Sequence, residues 1–154
     1  MELFLSLVDD AFFSAIPAIG FALIFNVPKR MLVLCACGGA IAHSLRTLVM
    51  HSGVSIEWAS LVASVTIGLI GVYWSRRYLV PRPVFTVASV IPMIPGTFAF
   101  KTIIGVFTLH DGGYSAEVMA SVLENGLATL FILMALSFGL ALPSILIYRF
   151  RPIV

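Results

Sequence analysis

Charge is scarce in this sequence. Nine Lys and Arg and seven Asp and Glu are spread over 154 residues, too few to cover a folded surface facing water. Apolar residues make up 60% and the mean hydropathy is +1.10, against roughly half apolar in soluble domains. This composition excludes an ordinary soluble domain. The few basic residues cluster in turns, which argues against nucleic acid as a ligand. There are only two cysteines, Cys35 and Cys37; two positions apart, they point to different faces of a helix and cannot pair with each other. They read as small packing residues. No H-E-x-x-H, G-x-S-x-G or phosphate-cradling glycine loop is present, nor any nucleophile–base or metal-ligand set, so an enzyme, a cofactor and a metal are not expected. No basic residue precedes Lys29, so the start lacks the positive region of a secretory signal and should not be cleaved. Repeats and low-complexity tracts are also missing.

Long apolar runs take the place of these features. A spanning helix needs about 20 apolar residues, and five such segments fit. The first covers about Ala11 to Val27, reaching back towards Leu3 if Asp9 and Asp10 sit at the interface, with Pro17 expected to bend it. The second, Met31 to about Met50, is rich in small residues (Ala36, Gly38, Gly39, Ala40, Ala42) that let another helix approach closely. The third runs from Ile56 to about Trp74 with Gly68 and Gly71 on a second small-residue face. The fourth begins near Val84 and resumes after an interruption to about Leu109. The fifth, Val118 to Ile147, is longer than a bilayer needs and must tilt, bend or protrude.

The charges test this count. Lys29 and Arg30, then Arg76, Arg77 and Arg82, then Arg149 and Arg151 fall at alternate ends of the segments; Glu2, Asp9, Asp10, Glu57, Asp111 and Glu117 fall at the others. Five spans satisfy the positive-inside rule, with the N-terminus outside and the C-terminus in the cytoplasm. Four or six would break the alternation. The expected fold is an all-α integral membrane protein, a single five-helix transmembrane domain over residues 1–154.

The interruption of the fourth segment, V-I-P-M-I-P-G at Val90 to Gly96, organises the rest. Pro92 and Pro95 each remove a backbone donor and crowd the preceding turn, so the helix should kink or break between Pro92 and Gly96. A break at membrane depth is tolerated where protein or a watery cavity surrounds it, and transporters hold substrates at such breaks. A plain proline kink in a packed bundle is the alternative.

Three charges lie inside segments: Arg46, Lys101 and Glu124. A charge at the bilayer centre costs about 2.5–3.5 kcal/mol on insertion scales, so each needs a reason. Arg46 stands roughly 22 Å along the second helix from its start, at 1.5 Å per residue, and His43 is one turn away on the same face. A guanidinium beside an imidazole suits a carboxylate ligand or a gate; alternatively Arg46 snorkels outward or pairs with Glu124. His43 is either a packed, hydrogen-bonded histidine or a proton-coupling group. Lys101 follows Gly96 by five residues. If the second half-helix starts near Thr97, its free N–H groups, Thr97, Thr102 and Lys101 would suit an anion, although Lys101 can also reach the headgroups along its stem. Glu124, next to Asn125, is a proton site or the partner of Arg46.

Several segments carry a family resemblance: A-I-P-A-I-G-F-A (Ala15 to Ala22), F-N-V-P (Phe25 to Pro28), I-E-W (Ile56 to Trp58), W-S-R (Trp74 to Arg76) and F-T-V-A-S-V-I-P-M-I-P-G (Phe85 to Gly96). On these residues the chain resembles the membrane-only half of the threonine/serine exporter family, and more closely the small subunit of its split form. Pro92, Pro95 and Gly96 match the family's P-x-x-P-G element; His43 and Arg46 match a His-plus-Arg pair approximately, and Lys101 has no counterpart. The resemblance implies a bacterial inner-membrane exporter working with a larger membrane subunit of the same family. The implied cargo is a small carboxylate: a C4 dicarboxylate such as succinate in the split form, threonine and serine in the fused form. A non-transporting assembly or stability factor for a membrane partner is the competing reading, and the small-residue faces leave room for homo-oligomerisation.

Overall fold

A computed structural model describes residues 1–150, with the side chains of all of these except Glu2 and residues 148–150. The basic C-terminal end at Arg149 and Arg151, and the Glu2 charge, therefore lie outside the described side chains. Among the described residues the chain is helical and has no strand. The helices are α1 (Glu2–Ile24), α2 (Leu32–His51), α3 (Ile56–Tyr78), α4 (Pro83–Val90), α5 (Gly96–Gly112) and α6 (Ala116–Phe150), with single turns of 3-10 helix at Lys29–Met31 and Ile91–Met93. Four stretches are long and apolar enough to cross a membrane, and a fifth is added if Pro83–Met93 and Gly96–Gly112 form one broken span. The apolar run of the first span begins at Leu3, so Asp9 and Asp10 are carried inside α1.

The chain divides into two compact units, Met1–Met93 with the chain from Ala135 onward, and Ile94–Met134. Lipid tails are as apolar as leucine, so helices in a bilayer are joined by close packing and hydrogen bonds. The first unit shows both. A methyl group on Gly39 would lie 2.6 Å from Ala18 Cβ on α1, one on Gly38 would run into Ser89 on α4, and one on Gly71 into Thr86. Gly139 on α6 is closed in the same way by Ser64 on α3. Hydroxyls and a thiol tie the same faces together: Ser44 Oγ donates to Leu7 O (3.0 Å), Ser64 Oγ to Ala135 O (3.0 Å), Ser89 Oγ to Cys35 O (3.3 Å) and Cys35 Sγ to Val84 O (3.3 Å). At the end near Lys29 the core is Ala22, Val27, Met31, Cys35, Phe85 and Ala88, with Leu32, Trp74 and Val84 against it. Trp74 meets Phe85 edge-on at 5.8 Å.

The second unit is a hairpin of α5 and the first half of α6. Gly105 lies under Val122, and Gly126 is 3.5 Å from Thr102 Cγ2 at the position its Cβ would take. Gly113, at φ +80°, closes α5 in a conformation that glycine adopts without strain. No residue of α5 is buried.

Candidate functional site at the broken span

The interruption has a defined shape. After α4 and its 3-10 turn, the Gly96 N–H bonds to Ile94 O at 2.8 Å, across a Pro95 held at φ −78°, ψ 56°. This is an inverse γ-turn, and the proline ring presets its φ. Pro95 is buried while Ile94, Gly96 and Thr97 are exposed. α5 starts at Gly96, one residue before the expected Thr97, and the Ala99 N–H closes its first turn on Pro95 O (3.0 Å). Gly96 has no positive φ, and nothing lies within 4 Å of where its Cβ would be. The turn therefore depends on Pro95, and Gly96 is not sterically required.

The last carbonyls of a helix have no following turn to bond to. Here the carbonyl of Met93, whose side chain is fully buried, takes its donor from across the bundle: Arg46 Nη1 donates to Met93 O at 3.0 Å. A cation at the carbonyl end of a helix also opposes its negative dipole end. The other arm of the guanidinium, Nη2, is 2.8 Å from His43 Nε2. Arginine can only donate, so Nε2 must accept and the imidazole is neutral with its proton on Nδ1. That Nδ1 faces Asp10 Oδ1 on α1 at 3.5 Å, beyond a good hydrogen bond, and it is shielded from solvent without another partner. The side chains of His43 and Asp10 retain 23% and 25% of their exposure. A polar chain thus runs Asp10, His43, Arg46, Met93 O within the first unit, and all three side chains lie within the first two candidate spans.

Of the predicted site residues, the structure joins His43 and Arg46 to the turn that follows Pro92. Lys101 and Glu124 belong to the second unit. Lys101 lines a groove of about 390 Å³ with Ile104, Gly105, Thr108, Glu117, Val118 and Ser121. Thr102, expected to offer a hydroxyl donor, spends it on Phe98 O of its own helix (2.9 Å). Glu124 is exposed on α6, and the neighbouring Asn125 Nδ2 donates to Ser121 O (2.7 Å). Arg46 is held by His43 and Met93 O inside its own unit, and the carboxylate that the first unit brings to this pair is Asp10. From its position in the sequence Asp10 is expected at the interface, whereas the first span takes it in. The usable signal was the apolar run Leu3 to Val8, which draws the helix start back and Asp10 into the span.

The family model "Threonine/Serine exporter, ThrE" matches residues 10–146, a stretch that holds Asp10, His43, Arg46 and the whole break. The chain belongs to the threonine/serine exporter family. Membership makes it a multi-pass membrane exporter, a transporter rather than an enzyme. No solved structure matches the chain.

Proposed function

We propose that this exporter-family chain is the smaller membrane subunit of a two-part exporter of small carboxylates, with a C4 dicarboxylate such as succinate as cargo and a larger subunit of the same family as partner, in a bacterial inner membrane. The observation that carries the reading is the break of the fourth span with the Arg46 guanidinium seated on its last carbonyl. A planar fork of donors at a helix interruption is the chemistry that recognises a carboxylate. That no residue of α5 is buried, with Lys101 in its second turn, supports a protein partner, because a lysine facing lipid within a span is costly. The basic ends at Lys29 and Arg30 and at Arg76, Arg77 and Arg82 support an orientation with the N-terminus outside and the C-terminus in the cytoplasm. The family's own description favours a second cargo, threonine or serine, which presents the same carboxylate.

The test is efflux of labelled succinate, with threonine as competitor, from vesicles holding this chain alone or together with the candidate larger subunit. Succinate efflux that requires both chains is the expected result. Efflux with this chain alone overturns the two-part reading, and efflux of threonine only transfers the cargo to the amino acids. No efflux of either, with the partner's abundance falling when this chain is removed, replaces export by assembly support.

A further inference from the structure

The turn at Met93 is held by a donor whose other arm rests on a titratable acceptor. We propose that Asp10, His43 and Arg46 form a proton-binding site that latches the broken span: with His43 neutral Arg46 is fixed on the Met93 carbonyl, and a proton taken up at His43 Nε2 takes away the other acceptor that holds it there and loosens the latch. The proposal rests on the export reading for its purpose and on the geometry alone for its mechanism.

In the observed state Nε2 uses its lone pair to accept from Arg46 Nη2 at 2.8 Å. A proton arriving from water adds to that lone pair, so the nitrogen becomes a donor facing a donor, and a second positive charge now stands against the guanidinium. On the other side of the ring, Nδ1–H lies 3.5 Å from Asp10 Oδ1, whereas a charged N–H on a carboxylate settles at about 2.7–2.9 Å. Protonation therefore pushes the imidazole off Arg46 and draws it towards Asp10 across that gap. The two effects act in the same direction. Arg46 loses one of its two anchors, and Nη2 is left free for another acceptor. The charge of the three groups rises from zero to +1, and a carboxylate in the freed fork restores zero, which favours joint occupancy in a region where net charge is costly.

Asp10 on α1 and Arg46 on α2 are the charged groups that act on His43. Elsewhere around α2, Asp9 on α1 is exposed, α4 and the 3-10 turn Ile91–Met93 carry no ionisable residue, and the charges of α3 (Glu57, Arg76, Arg77) sit at its two ends. Part of the His43 side chain remains exposed, so water has a route to the ring.

The latch is tested on the full chain in lipid nanodiscs with Met93→Cys as reporter, since the Met93 side chain is fully buried while the backbone carbonyl is unchanged by the substitution. Cys35→Ala removes the buried native thiol, and exposed Cys37 serves as internal reference. Labelling of the reporter by a small methanethiosulfonate, relative to Cys37, is expected to rise about fivefold or more as the pH is lowered from about 8 through the range in which His43 takes up its proton. His43→Gln places a non-titrating carbonyl acceptor near Nε2 and should flatten the ratio, while Asp10→Asn, which removes the carboxylate that draws the ring, should weaken the rise. A Val90→Cys reporter, on another buried residue, replaces Met93→Cys if that variant does not fold. A flat ratio with His43 present, or an unchanged rise in His43→Gln, overturns the latch. Labelling needs no cargo, so these outcomes are independent of the efflux assay: a working latch without efflux sinks the export reading, and efflux with a flat ratio sinks the latch.

Discussion

Arg46 has five N–H donors and no acceptor, so each group it touches must supply a lone pair. Here the suppliers are an imidazole nitrogen and a main-chain carbonyl. Arg46→Ala would leave Met93 O and His43 Nε2 without a donor, at about 1–3 kcal/mol for each group that stays dry. The expected result is a lower midpoint of thermal unfolding in detergent together with lost export. Arg46→Lys keeps the charge but replaces a rigid fork by a single ammonium group, which cannot span both acceptors in the same geometry. It should recover most of the stability and little of the export, and a variant with full export would show that the fork is not needed. The relation of His43 to Arg46 is legible in the sequence, because residues three apart on a helix are neighbours. Asp10 is not, since it lies 33 positions from His43, and no local spacing predicts which face of α1 meets α2.

At the scale of the element, the break is the part of the site that local chemistry explains most fully. Two prolines remove two donors within four residues, and the second sits at the centre of an inverse γ-turn. Pro95→Ala restores an N–H and frees φ, so the fourth span should gain helix across Ile94 and Pro95. Export is expected to fall at least several-fold while membrane abundance holds; export at the normal rate would mean that the break is a packing kink. Gly96→Ala is expected to stay near the unmodified protein, because its Cβ enters open space. That pair of results separates the proline from the glycine, which the motif alone presents together. Elsewhere, Pro143 lies inside the continuous α6 and packs 2.9 Å from the Cβ position of Gly68 on α3. The length of the fifth segment is visible in the sequence, while the partner of this proline is not.

For the whole molecule, the packing predicts where substitution is least tolerated. Gly38 and Gly139 each face a serine side chain so closely that a methyl group requires backbone movement, and overpacking of this kind typically costs about 1–3 kcal/mol. Gly38→Ala and Gly139→Ala should lower thermal stability in detergent measurably, whereas Gly20→Ala, with nothing within 4 Å of its Cβ, should not. Equal effects at all three positions would show that helix propensity, rather than contact, sets the response. The second unit presents the opposite case, with its exposed faces formed by residues such as Phe100, Ile103, Phe107 and Leu123. A partner subunit seated there would slow protease cleavage in the turn at residues 113–115 on co-expression, which limited digestion can read.

The sequence by itself determined the class, the helical segments, their approximate ends and the position of the break. Hydropathy sums over a window of the chain, and proline acts on its own turn, so both are local quantities that need no fold to be evaluated. Tertiary structure alone decided which small residues meet, that Asp10 stands by His43, and that Arg46 holds the carbonyl of Met93. Those contacts join residues 15 to 75 positions apart, from Gly71 with Thr86 to Ser64 with Gly139. One of the acceptors is a backbone oxygen whose availability exists only once the helix has broken, so no side-chain pattern could have announced it.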